Sequence, residues 1–111
     1  MDKPNVKEPT EMAAARKEHR ARHYVLRLFV SGLTPKSQQA IANLKAICEE
    51  YLKGHYELEV IDIFQQPALA QAEQIIAVPT LIKELPLPLR RFIGDMSQTE
   101  KILIGLELKP K

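Results

Sequence analysis

Hydrophobic and polar positions change their rhythm several times along the chain, and each change marks an element. Tyr24-Val-Leu-Arg-Leu-Phe-Val30 is β-branched and aromatic, and apolar on both faces apart from Arg27. That pattern belongs to a central strand covered on both sides. Ser31-Gly32-Leu33 interrupts it, Thr34 is a good helix N-cap, and Pro35 suits the first turn, where its missing N–H costs nothing. Ala40, Ile41, Leu44, Ile47, Cys48, Tyr51 and Leu52 then recur at spacings of three and four, so one helical face is buried, and Gly54 follows as a C-terminal stop. Tyr56-Glu-Leu-Glu-Val-Ile-Asp-Ile63 alternates before becoming continuously apolar, as a second strand does. Strand, helix and strand in this order predict a right-handed βαβ unit with parallel strands.

Beyond Ile63 the signals are less uniform. Pro67 to Gln74 reads as a short helix, Ile75 to Val78 as a strand that Pro79 cuts off, and Thr80 to Lys83 as resumed extended chain. Leu85-Pro-Leu-Pro-Leu89 fits neither helix nor central strand; Arg90 to Ile93 is a short strand and Gly94-Asp95 a turn. The last segment carries opposing instructions. Ser97 and Glu100 have the spacing of a capping box, which predicts a helix from about Gln98. Ile102-Leu-Ile-Gly-Leu-Glu-Leu108 has β-branched residues, a glycine and an alternating end, which predict a strand. Such a conflict argues against a single deep minimum for this half.

Residues 1–22 differ from the rest and read as a charged extension, flexible or partly helical. Pro4 and Pro9 punctuate the start, and Glu11 to Arg22 has strong helix propensity without a wide apolar stripe. The extension holds six basic and four acidic side chains, so the chain's formal +2 arises there and residues 23–111, the folded domain, are electrostatically balanced. A nucleic-acid binder would cluster a larger excess on its folded part, so nucleic acid is not an expected partner. With 111 residues, 45% hydrophobic and 27% charged, the chain is one α/β domain and not a disordered segment. No apolar stretch approaches a membrane span, and the charged start does not resemble a signal peptide, so a cytoplasmic protein without membrane contact is expected.

A βαβ unit followed by a short helix, a proline before a strand, a hairpin and a final helix is the order of a thioredoxin-like fold. Redox members of that superfamily need a cysteine at the first helix start, where the dipole stabilises thiolate. Ser31-Gly-Leu-Thr-Pro-Lys-Ser37 has none, and Cys48 lies deep in the apolar stripe. A glutathione-linked or thiol-independent enzyme on this scaffold is the remaining catalytic reading, and no phosphate loop, nucleophile elbow or metal-ligand spacing among His19, His23 and His55 supports one. No catalytic residue, metal or cofactor is expected.

The run Tyr24 to Pro35 resembles the opening strand and loop of the KaiB family, partners of the KaiC ATPase. So do Ala77-Val-Pro-Thr-Leu81, Arg90-Arg-Phe-Ile-Gly-Asp95 and Leu103-Ile-Gly-Leu106. The resemblance implies a metamorphic protein whose second half exchanges helix and strand identities. It implies a ground-state homo-oligomer, a dimer or tetramer, and a thioredoxin-like monomer that binds a KaiC-type ATPase in circadian or stress signalling. On this resemblance Pro79, Gly94 and Asp95 lie at the fold-switch hinge, Arg90 and Arg91 beside the partner surface, and Tyr24 in packing or the oligomer contact. Gln65 and Gln74 depart from the lysines common in the family. The alternative reading is a thioredoxin-like sensor or adaptor module that binds a histidine kinase or another signalling partner rather than KaiC.

Overall fold

The computed structural model describes residues 23–108; the extension 1–22 lies outside the described residues. Strand β1 (Tyr24–Val30) is followed by helix α1 (Pro35–Tyr51), β2 (Tyr56–Asp62), α2 (Pro67–Ala72), β3 (Thr80–Leu85), β4 (Arg90–Ile93) and α3 (Thr99–Gly105). The four strands form one sheet in the order β2-β1-β3-β4. β1 runs parallel to β2 with Tyr24 opposite Tyr56, while β3 is antiparallel to both β1 and β4.

Period-two alternation in β1 sends its side chains to two separate cores. Tyr24, Leu26, Leu28 and Val30 pack with α1, through Leu44 and Cys48, and with α3 and its C-cap, through Leu103 and Leu106. Phe29 points the other way, joining Ile61 and Ile82 under α2, which adds Leu69 and Ala70. Among the described residues, helix α2 covers the Phe29 end of that second face. The Arg27 end is roofed by charge. Arg27 lies 3.5 Å from Glu59, and its Nη1 is 3.6 Å from both Glu73 and Glu84.

The first half follows the sequence pattern closely. Thr34 caps α1 as expected: its Oγ1 accepts from the Ser37 N–H at 3.2 Å. Cys48 is fully buried, and burial, aided by the neighbouring Glu49 charge, pushes its thiol up to about 12. β2 ends at Asp62, one residue before the predicted boundary.

In the second half the structure corrects three readings. Ile75 to Val78 is not a strand; it is irregular chain from which Ile75 and Val78 pack on the Phe29 core, and β3 begins at Thr80, after Pro79. Hydrophobicity there serves packing and not a ladder. Of the two options left open for Ile102 to Leu108, the strand is not taken: helix α3 runs to Gly105, with Ile102 and Leu103 in the larger core, and Leu106 to Leu108 follow as turn and irregular chain. The capping box is not formed: the N-cap is Gln98, without a side-chain cap, because the Ser97 N–H donates to Asp95 Oδ1 at 3.0 Å. The helix expected from about Gln98 begins at Thr99.

Tyr24 decides how α3 docks. Its ring is buried, and its hydroxyl donates to the Leu106 carbonyl at 2.6 Å, 82 residues away in sequence. The sequence placed Tyr24 in packing or the oligomer contact, and in this arrangement its side chain is interior. Tyr24→Phe keeps the ring and leaves that carbonyl without this donor, so a loss of about 1–2 kcal/mol is expected. Urea unfolding should show a lower midpoint at unchanged m, with faster amide exchange confined first to α3.

Candidate functional site

The residues expected at the hinge meet at one end of the sheet. Thr80 pairs with Ile93 across β3 and β4, and one step further the Gly94 N–H donates to the Pro79 carbonyl at 3.0 Å. Gly94 has φ +127°, a conformation that side chains rarely adopt, so glycine is required where the ladder ends and the chain turns. Pro79 and Gly94 are therefore backbone partners, which no sequence spacing revealed. The Val78–Pro79, Leu85–Pro86 and Leu87–Pro88 peptide bonds are cis.

Asp95 follows and acts as a turn residue. Its carboxylate accepts the Ser97 N–H, and this pair with Ser97 holds its pKa below the ordinary carboxylate value. Its carbonyl accepts Asn43 Nδ2 at 2.8 Å, tying the 94–98 turn to α1. Met96 then takes φ +64° and drops its side chain into the larger core. Burying the methionine offsets the cost of that backbone conformation. Between β4, this turn and α3 runs a groove of about 460 Å³, with Phe92, Ile93, Gln98 and Lys101 among its walls.

The two arginines of β4 have different surroundings. Arg90 is exposed at the start of this edge strand. Arg91 instead points to the end of α2, where its Nη2 donates to the Glu73 carbonyl at 2.7 Å and lies 3.9 Å from the Glu73 carboxylate. One is a surface cation and the other a latch on α2. The sequence expectation of an equivalent pair is thus replaced by two roles, because alternate residues of a strand face opposite sides.

At the start of α1 hydroxyls stand where redox chemistry would need thiols. Thr34 Oγ1 donates to Ser37 Oγ at 2.8 Å, and Ser37 Oγ accepts the Ser31 N–H at 3.1 Å. Ser37 is 1% exposed, so this network is interior and orders the β1–α1 turn. The sequence reading named Thr34 and missed Ser37; the three-residue spacing from a capping threonine was the available signal. Among the described residues no group of three or more His, Cys, Asp or Glu is placed to hold a metal ion, and no helix is long and apolar enough to cross a membrane.

A sequence model described as the KaiB domain matches residues 27–108. The chain belongs to the KaiB family. It is 54% identical over 87 residues to the circadian clock protein KaiB3 of Synechocystis, covering 78% of this chain and 85% of the relative. It is also 53% identical over 85 residues to the circadian clock oscillator protein KaiB of Synechococcus elongatus, covering 77% and 83% of the two chains. Among solved structures, the N-terminal domain of Synechococcus elongatus SasA superposes with a TM-score of 0.63 at 23% identity, over 82% of this chain and 90% of that one. The Drosophila melanogaster thioredoxin Deadhead superposes with a TM-score of 0.64 at 14% identity, over 90% and 94%. These likenesses establish the thioredoxin-like fold, so this KaiB-family chain has a thioredoxin-like arrangement, with the second half as helix, hairpin and helix.

Proposed function

We propose that this KaiB-family chain is a non-catalytic, cytoplasmic clock or stress regulator that binds a KaiC-type ATPase in the arrangement described here. Its self-associated form, a dimer or tetramer, would hold residues 67–108 in a different arrangement. The observation that carries this reading is the combination of 54% identity to KaiB3 with a thioredoxin-like architecture. The opposing helix and strand signals of Ile102 to Leu108 support it, since the same segment satisfies either element at modest cost. So does the hydroxyl network at the start of α1, which leaves the scaffold free for recognition rather than thiol chemistry.

On this reading Pro79, which leads into β3, and Gly94 and Asp95, which link β4 to α3, are where the second half turns as it rearranges. Arg90, exposed on the β4 edge, is the cation that meets the ATPase, while Arg91 keeps α2 in place. Binding draws the competent conformer from the oligomer, so the apparent affinity is lowered by that conformer's fractional population.

Size-exclusion chromatography with light scattering, on the chain alone and mixed with a KaiC-type ATPase, tests the proposal. The chain alone should run as an oligomer, the mixture should contain a complex with monomeric subunits, and Arg90→Glu should weaken the complex at least tenfold without changing the circular dichroism. Absence of a complex with the wild-type chain would refute the partner, and full binding by Arg90→Glu would remove Arg90 from the interface.

A further inference from the structure

β4 is an edge strand, and the hydrogen bond that ends its ladder identifies which of its main-chain groups face outward. Opposite residues of an antiparallel pair alternate between exchanging both hydrogen bonds and exchanging none. The Gly94 N–H on the Pro79 carbonyl sets that alternation, so Phe92 and Arg90 bond to β3. The N–H and C=O groups of Arg91 and Ile93 therefore point away from the sheet, and no strand among the described residues pairs with them. This edge is separated from β1 by β3, and its Ile93 end lies at the other end of the strands from His23.

The side chains beside the edge add selectivity. Period-two alternation puts Arg90 on the same face as Phe92, the face on which α3 packs. There the groove of about 460 Å³ follows β4, with the buried Met96 and Ile102 at its floor and the exposed Lys101 at its rim. A hollow of that volume falls within the range that takes a ligand or a few side chains. Two cations and an apolar hollow thus border a row of outward main-chain donors and acceptors. Pairing with another copy of β4 would bring the arginines of both strands together, and like charges across a strand pair are destabilising. An acidic strand gains where a second β4 loses.

We propose that β4 receives an extended segment of the partner as a further strand, bonded to the main chain of Arg91 and Ile93. One apolar side chain of that segment fills the groove and, two residues along, a carboxylate meets Arg90. The spacing of two follows because alternate residues of the added strand share a face. Main-chain bonds supply affinity in this mode of recognition, while the groove and Arg90 select the sequence. The inference deepens the proposed ATPase contact and rests on it, since it states the form of the segment that partner offers: extended, acidic and apolar.

Residue-resolved hydrogen exchange on the full-length chain, free and in complex with a KaiC-type ATPase, tests the edge contact. In the free chain the Phe92 amide should exchange slowly and those of Arg91 and Ile93 fast. In the complex both fast amides should slow by about tenfold or more, as hydrogen-bonded amides do. Ile93→Pro removes one outward N–H and no ladder bond, at a place where an edge strand tolerates proline. It should weaken the complex about tenfold, because a carbonyl of the added strand is left unpaired. Ile93→Ala keeps that N–H and should cost much less. Should the proline variant fail to fold, the wild-type exchange pattern still decides. A complex in which Arg91 and Ile93 exchange as in the free chain overturns the edge contact and leaves the ATPase reading standing. Absence of any complex refutes that reading and this inference with it. Slow exchange of both amides in the dilute free chain also overturns the inference, since the edge is then occupied within the molecule. Slowing that appears only on concentrating the chain without the ATPase does the same, and assigns the edge to a second copy.

Discussion

Phe29→Ala is expected to destabilise the domain by about 3–5 kcal/mol, a large fraction of the total for a chain of this size. Phe29 is fully buried in the smaller core, where only Ile61 and Ile82 are buried as completely. α2 contributes no fully buried residue of its own; it rests on this cluster through Leu69 and Ala70 and on polar latches through Glu73. Removing the ring therefore takes away the floor beneath a helix of six residues, too short to persist alone. Amide exchange should show α2 and residues 73–78 opening well before α1, and urea unfolding should report the full loss. Equal loss of protection in α1 and α2 would mean that the two cores are one cooperative unit.

The second expected effect is one of sign. Gly105 lies in the last turn of α3, and in an isolated helix alanine there would gain about 1 kcal/mol. In this fold a methyl on Gly105 would overlap the outer atoms of the Phe92 ring, which packs from β4 against the larger core. Overpacking of that kind costs about 1–3 kcal/mol, so Gly105→Ala is expected to destabilise this arrangement despite its better propensity. In a Phe92→Leu background the overlap is relieved and the same substitution should stabilise α3. A double-mutant cycle by urea unfolding should show a coupling of about 1–3 kcal/mol. A cycle that closes near zero would show that the ring swings aside freely. The pair matters for the proposed function, because it sets how firmly α3 holds the helical option of a segment whose sequence also suits a strand.

Legibility was uneven along the chain. β1, α1 and β2 were readable because periodicity, the Thr34 cap and Gly54 all agreed, and the elements they predicted are the ones observed. The family was equally readable, from runs such as Arg90 to Asp95 and Ala77 to Leu81. Ile75 to Val78 misled because a short apolar run looks the same whether it pairs in a ladder or packs as irregular chain under a helix. Pro79 and Gly94 could be singled out from the sequence through the family resemblance, but not their mutual hydrogen bond, which joins the residue before β3 to the residue after β4.

Local pattern by itself determined the βαβ half, the absence of a thiol at the start of α1 and the excess positive charge of the extension, because each depends on neighbours in sequence. Only tertiary structure decided the identity of the last element. Ile102 to Leu108 has instructions for both helix and strand, and the choice rests on contacts made far from it: the Tyr24 hydroxyl on the Leu106 carbonyl, and the fit of Gly105 against Phe92. It also separated Arg90 from Arg91, turning the latter toward the Glu73 carbonyl at the end of α2. Those outcomes turn on which residues meet across the sheet, and they exist only once the strands are paired.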